Sequence, residues 1–194
     1  MIIPANWGGL KALDVGMVHP GRGLLIVDGD ARSELSDNLR SRTMNLASAK
    51  GHSVETLEVG RDELPPCIGC LECLTKRPGS CVYDKAFRHI AEKAASASFV
   101  VFLASSSFGN PSSAIKNLMD RGGLIVKDSA TRQIVIGYGE EASAEEASTF
   151  VDAVAKHRGR ADVVHPNLRE TIEVFFTRSP KDNERIAETL ADSL

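Results

Sequence analysis

Hydrophobic and polar positions follow two rhythms along this chain, and the rhythms take turns. "LLIVD" (24–28) is a short unbroken apolar run, the mark of a strand covered on both faces of a parallel sheet. In the following "SDNLRSRTMNLASAK", Leu39, Thr43, Leu46 and Ala47 share one helical face. "SVETLEV" (53–59) alternates as a second strand. Asp84 then predicts the cap of a helix whose inner side carries Phe87, Ile90, Ala91 and Ala94. "SFVVFLAS" (98–105) is a third strand, and Ser112 or Ser113 opens a helix with Ile115, Leu118 and Met119 that stops at Gly122-Gly123. "QIVIGYG" (133–139) is a fourth strand, followed by a helix marked by Ala147, Phe150, Val151 and Val154. "ADVVHP" (161–166) reads as the fifth strand, and Ser179-Pro180 as the cap and first turn of a last helix through Ile186 and Leu190. "TIEVFFT" (171–177) has no firm place in this alternation and is read as an extra edge strand.

Five repeats of strand then helix predict an α/β domain over residues 24–194. It is a five-stranded parallel sheet of flavodoxin-like order 2-1-3-4-5 with helices on both faces. Residues 1–23 are punctuated by Gly and Pro without a period and read as an irregular N-terminal arm. In such sheets a ligand lies beyond the carboxyl ends of the strands at the switch point, which selects three loops here: 28–38, 105–113 and 137–141. The loop after the second strand emerges at the same edge.

Charge and composition narrow the partners. Net charge is −3 with both signs mixed, so no basic stripe argues for nucleic acid. No apolar run approaches the roughly 20 residues of a membrane span. The first 23 residues lack a basic stretch followed by an apolar block, so no secretory signal is expected and the chain is read as cytoplasmic. In a reducing compartment, its four cysteines are metal or redox candidates before they are disulfides.

All four lie in "CIGCLECLTKRPGSC": Cys67, Cys70 and Cys73 at three-residue spacing, then Cys81 after Pro78-Gly79. Three closely spaced thiols plus a distant fourth suit an iron–sulfur cubane. Zinc sites more often use two separated two-ligand knuckles. A C-x-x-C redox pair and a loop of reduced, packed thiols are the remaining readings.

"PCIGCLEC" and "PGSCVYDKAF", followed by "FGNPSSAIKNLMDR", resemble the NADPH-dependent FMN reductase-like proteins of the flavodoxin superfamily, and within them the iron–sulfur flavoproteins. The resemblance runs from about residue 24 to the end and is strongest over 66–121. It implies FMN at the strand ends, NAD(P)H or a ferredoxin as donor, a small-molecule electron acceptor, and a homodimer or homotetramer. In the iron–sulfur branch, Cys67, Cys70, Cys73 and Cys81 match the ligands of a [4Fe–4S] cluster one by one.

The first loop, "GDARSELSDN", departs from the family's G-S-P-R pattern. Gly29, Arg32, Ser36 and Asn38 can be matched; Asp30 replaces a serine, and Glu34 and Asp37 add negative charge. A phosphate at a helix N-terminus is held by N–H groups, hydroxyls and cations, so Arg32 with Ser33 and Ser36 must compensate. Plain helix capping by Ser36 or Asp37 is the other reading. In the second loop, Phe108-Gly109 matches an aromatic and glycine that lie against the flavin ring in the family, with Ser107 where relatives carry tyrosine. Ser105, Ser106, Ser107 and Asn110 supply donors for ring carbonyls. In the third, Gly137, Tyr138 and Gly139 read as a glycine turn beside the ring, with a simple strand-to-helix turn as the other reading; as a dinucleotide fingerprint "GYGEEA" is weak, with two glutamates facing the pyrophosphate. The pattern has no G-x-S-x-G elbow and no histidine pair at metal spacing. These features together predict an FMN-dependent oxidoreductase with no side chain required as acid or base. A flavodoxin-fold binding or regulatory module without flavin, its cysteines structural or metal-binding, is the rival.

Overall fold

The computed structural model describes residues 21–77, 81–121, 131–159 and 172–194. The expected strand at 161–166, the Gly122-Gly123 stop, the Pro78-Gly79 turn and most of the N-terminal arm lie outside the described residues.

Six strands and six helices follow one another among the described residues. They are β1 (Arg22–Asp28), α1 (Glu34–Ala49), β2 (Ser53–Val59), α2 (Glu72–Thr75), α3 (Lys85–Ala95), β3 (Phe99–Ser107), β4 (Asn110–Pro111), α4 (Ser113–Met119), β5 (Arg132–Tyr138), α5 (Ala144–Gly159), β6 (Ile172–Thr177) and α6 (Pro180–Ser193). The parallel order is β2-β1-β3-β5-β6, with the short β4 pairing antiparallel to β3. This is the expected flavodoxin-like order. The fifth place belongs to "IEVFFT", which pairs with β5 from Gln133↔Ile172 to Tyr138↔Thr177. Burial explains its role: Val174, Phe175 and Phe176 enter the core on alternate faces.

Two cores flank the sheet because side chains of a strand alternate in direction. Leu24 and Ile26 of β1 and Val100 and Phe102 of β3 join α3, α4 and α5 on one face through Phe87, Ile115 and Phe150. Leu25, Val27, Val101 and Leu103 face the other way, toward Leu35 and Leu39 of α1 and Ile186 and Leu190 of α6. Each such buried side chain contributes about 1.5–3 kcal/mol. With α1 on one face and α3 on the other, the chain leaves β1 in one direction and returns past it to β3. The switch point therefore falls between β1 and β3.

The caps place the helix starts. Ser179 accepts from the Asp182 N–H, with Pro180 in the first turn. Asp84 accepts from the Phe87 N–H at 3.1 Å and also meets Arg121, whose guanidinium lies 3.0 Å from it with both side chains buried. The same guanidinium donates to the carbonyls of Asn117 and Pro65 and lies over the Phe87 ring, 5.5 Å from its centroid. Asn117 donates to the Leu64 carbonyl at 2.9 Å. α4 thus grips the root of the cysteine loop.

Candidate functional site

The first loop starts from a buried acid. Asp28 ends the apolar run of β1 and is fully buried. One of its oxygens accepts from the Asp30 N–H at 3.0 Å and the other from the Ser105 hydroxyl at the tip of β3. Gly29 N–H bonds to the Val59 carbonyl, so the chain turns away across the tip of β2. Asp30 then accepts from the Arg61 N–H at 2.7 Å. That holds its carboxylate toward the β2 loop and off the α1 terminus.

Ser33 and Ser36 form a capping box. The Ser33 hydroxyl accepts from Ser36 N–H at 3.2 Å, and the Ser36 hydroxyl accepts from Ser33 N–H at 2.9 Å while donating to the Ser33 carbonyl at 2.8 Å. The first-turn N–H groups this box leaves open are those of Glu34 and Leu35. Arg32 turns outward to Glu58 on β2, which also binds Arg40 at 2.7 Å; the bond to Arg40 first and that to Arg32 second hold the Glu58 carboxyl below the usual range. Asn38 faces α6 instead of the loop, its oxygen accepting from Asn183 at 2.9 Å and from Arg42 at 3.0 Å. A mid-helix position one turn beyond the cap explains this.

The second loop is a tight hairpin. Ser106 pairs with Pro111 and Ser107 with Asn110, leaving Phe108 and Gly109 as its two turn residues with φ of 50° and 72°. Two positive φ values make it a type I′ turn. Gly109 fits because a Cβ there would lie 2.8 Å from Thr149 and 3.1 Å from the Glu146 carbonyl. Phe108 has no such freedom; it holds an unfavourable conformation and leaves its ring 88% exposed. Asn110 donates to the Phe108 carbonyl at 3.3 Å, and Ser112 N–H to the Ser105 carbonyl at 2.9 Å. The Ser106 and Ser112 hydroxyls are buried without a protein partner.

The third loop divides. Gly139 N–H bonds to the Thr177 carbonyl, and a Cβ on Gly139 would come within 3.8 Å of Ser106, so this residue borders the hairpin. Gly137 lies deeper, where a Cβ would sit 2.5 Å from Phe150 and 2.6 Å from Phe176; packing explains this glycine. Tyr138 is buried too, donating to the Ala31 carbonyl at 2.6 Å. Burial first, and the Asp28 carboxylate second, push its phenol well above the ordinary range. It ties β5 to the first loop.

The cysteine loop has a fixed root and an open tip. Cys73 is buried in α2, Cys67 and Cys81 are half-buried with Cys81 against the core, and Cys70 is exposed. Ile68 and Leu71 beside it are exposed, and Leu71 has φ 58°. Among the described residues no three His, Cys, Asp or Glu side chains come together as a metal site would require.

The family model of the NADPH-dependent FMN reductases matches residues 24–164, most of the chain. The chain belongs to this family. As an FMN reductase family member it is a flavin-dependent oxidoreductase. Solved structures agree on the fold. An NAD(P)H:quinone oxidoreductase from Methanothermobacter marburgensis superposes with TM-score 0.60 at 12% identity, over 89% of this chain and 98% of that one. An azoreductase from Bacillus anthracis gives 0.51 at 16%, over 89% and 95%. An oxidoreductase from Corynebacterium diphtheriae gives 0.53 at 14%, over 88% and 95%. No curated protein matches the sequence.

The residues of this FMN reductase family member fit FMN in part through main-chain groups and in part through hydroxyls. The α1 terminus offers the N–H groups of Glu34 and Leu35 with the acid of Asp30 turned aside, and the β3 hairpin offers two orphaned hydroxyls. Among the described residues the thiols of Cys67, Cys70, Cys73 and Cys81 do not come together as the ligands of a cubane would. Asp28 is marked in the sequence only by a charge that ends an otherwise apolar strand.

Proposed function

We propose that the chain binds FMN across the tips of β1, β3 and β5 and carries electrons from NAD(P)H to a small organic acceptor of the quinone or azo class. The family match supports the flavin and the nicotinamide donor, and the quinone and azo reductase activities of the two enzymes from M. marburgensis and B. anthracis suggest the acceptor class. The observation that carries the reading is the pair of buried, unpartnered hydroxyls, Ser106 and Ser112, at the strand-end edge next to the exposed Phe108. Buried polar groups are otherwise almost always paired, so such a cluster calls for a guest.

FMN, if bound there, would supply the two-electron redox chemistry that links a nicotinamide donor to the acceptor. The protein positions. Glu34 and Leu35 N–H groups, with Ser33 and Ser36 shaping the turn, receive the phosphate. Ser106, Ser107 and Asn110 donate to ring oxygens, Phe108 covers the ring edge, and Gly139 leaves space beside Ser106. Arg32 reaches the phosphate only after leaving Glu58. The donor is a nicotinamide nucleotide in preference to a ferredoxin, because the thiols do not converge. A cytoplasmic homodimer or homotetramer completes the proposal, supported by exposed Ile68, Leu71 and Tyr83. Among the described residues no helix is long and apolar enough to cross a membrane.

A binding module without flavin is the second reading, favoured by the engagement of Ser33, Ser36 and Arg32 within the protein. Anaerobic purification, a visible spectrum and assays of iron, sulfide and zinc separate the readings. Yellow protein free of iron that bleaches on NADPH and regains colour on adding a quinone supports the reductase. Brown, iron-containing protein returns the cluster to the mechanism, and colourless protein that takes up no added FMN leaves the binding module.

A further inference from the structure

Asp28 is a fully buried acid at the switch point, and the capping, packing and ion-pair networks of the fold do not account for it. Among the described residues no cation pairs with it. Its two oxygens are each used as acceptors, one by Asp30 N–H and one by Ser105 Oγ–H. An acid held by neutral donors alone is costly to bury, and a leucine or serine would end β1 without that penalty. The position pairs with Val59 of β2 and lies beyond the last β1–β3 register pair, Val27↔Leu103; main-chain pairing of this kind asks for no carboxylate.

We infer that Asp28 is a positioning residue for the flavin chemistry: it fixes Ser105 as a hydrogen-bond acceptor toward the ligand and sets a carboxylate beneath the ligand edge of β1 and β3. This rests on the FMN reading above. A serine hydroxyl has one proton and two lone pairs. Ser105 gives its proton inward to Asp28, so it offers lone pairs, and never a proton, to anything beyond the strand tip. It therefore suits a ligand N–H and does not suit a ring carbonyl, which reverses the donor role its sequence context suggests. Donation to ring carbonyls then falls to Ser106, whose hydroxyl has no protein partner, with Ser107 and Asn110 beside it. The carboxylate has a second effect. Reduction adds electrons to the flavin, and a fixed acid in a low-dielectric setting opposes added negative charge. Asp28 thus lowers the midpoint potential of the bound cofactor, and the Ser105 proton partly screens it.

The two residues act with opposite signs, which a merely structural role does not produce. In Asp28→Asn, the amide oxygen still serves Asp30 N–H, its NH2 donates to Ser105, and the Ser105 proton is released outward. The midpoint potential is expected to rise. In Ser105→Ala the carboxylate loses its screening proton and the potential is expected to fall. The experiment is FMN titration of the purified full chain by fluorescence, then the midpoint potential by equilibrium dye reduction, with a thermal melt of each variant. Asp28→Ser stands in should Asp28→Asn not fold, and is also expected to raise the potential. Wild-type protein that takes up no FMN overturns the functional reading and this inference together. Wild-type protein that binds FMN, with both variants unmoved in potential or moved in the same direction, overturns this inference alone.

Discussion

Two turns at the same edge of the sheet use their serines in opposite ways. In the turn after β1, Ser33 and Ser36 bond to each other's main chain, Asp30 bonds to Arg61, and Arg32 bonds to Glu58. In the turn after β3, the Ser106 and Ser112 hydroxyls find no protein partner, and Phe108 stands exposed in a conformation a phenylalanine seldom takes. The first turn is finished by the protein; the second is completed only by something else. A closed turn offers main-chain N–H groups in a fixed shape. An open turn keeps strain and unmet hydrogen bonds where a ligand can relieve them.

The largest test of that contrast strikes the open turn at its hinge. Gly109→Ala places a methyl on a residue with φ 72° and within 2.8 Å of Thr149. Left-handed backbone costs an L-residue about 1–2 kcal/mol, and overpacking about 1–3 kcal/mol. A loss of roughly 2–5 kcal/mol in urea unfolding is expected, by the same two terms. A loss under about 0.5 kcal/mol would mean that α5 does not lie against the hairpin.

Ser33→Ala opens the closed turn. It leaves Ser36 N–H without its acceptor, and cap removal typically destabilises by about 0.5–2 kcal/mol. FMN affinity is expected to weaken along with it, since the turn that presents the Glu34 and Leu35 N–H groups loses its brace. If the cap is structural only, the melt moves and the affinity does not.

The sequence made the frame visible because its signals are local. Phe87, Ile90, Ala91 and Ala94 lie buried on one side of α3, and Asp84 and Ser179 cap the helices they were expected to cap. The position of "TIEVFFT" was hidden for a physical reason: an apolar run shows that a strand is buried but not which neighbour it pairs with, and "ADVVHP" competed for the place. The site was legible to the level of loops and less so to residues. Gly137 and Gly139 look alike in a glycine turn, yet one is demanded by Phe150 and Phe176 and the other borders Ser106. Asn38 and Tyr138 read as ligand contacts but serve α6 and the Ala31 carbonyl. The cysteine spacing suggested a cubane, and spacing along a chain does not fix convergence in space.

Phe108→Gly relieves the open turn. A glycine accepts φ 50° freely, so stability is expected to rise by about 1 kcal/mol despite the entropy of the added glycine. Turnover with a quinone acceptor is expected to fall as the exposed ring is lost. Equal stability and turnover in the variant would show the ring to be an idle surface group.

Glu58→Gln gives the smallest effect on stability and bears most directly on the closed turn. Arg40 first and Arg32 second hold the Glu58 carboxyl below its ordinary range. A carboxyl held low adds stability that is present at any pH above the ordinary carboxylate range and is lost as the pH falls through the lowered value. The wild-type protein should therefore shed a small increment of stability only in acid, and Glu58→Gln should lack that increment throughout. Because both arginines are partly solvent-exposed, the change is expected to stay within about 0.5 kcal/mol. Binding should move the other way. Arg32 without Glu58 is free to swing toward the α1 terminus, where it would meet a phosphate beside the Glu34 and Leu35 N–H groups. FMN should then bind a few-fold more tightly while riboflavin, which has no phosphate, stays unchanged. An equal gain for both flavins would place the effect at the ring, and no gain for either would mean that Arg32 belongs to the β2 edge.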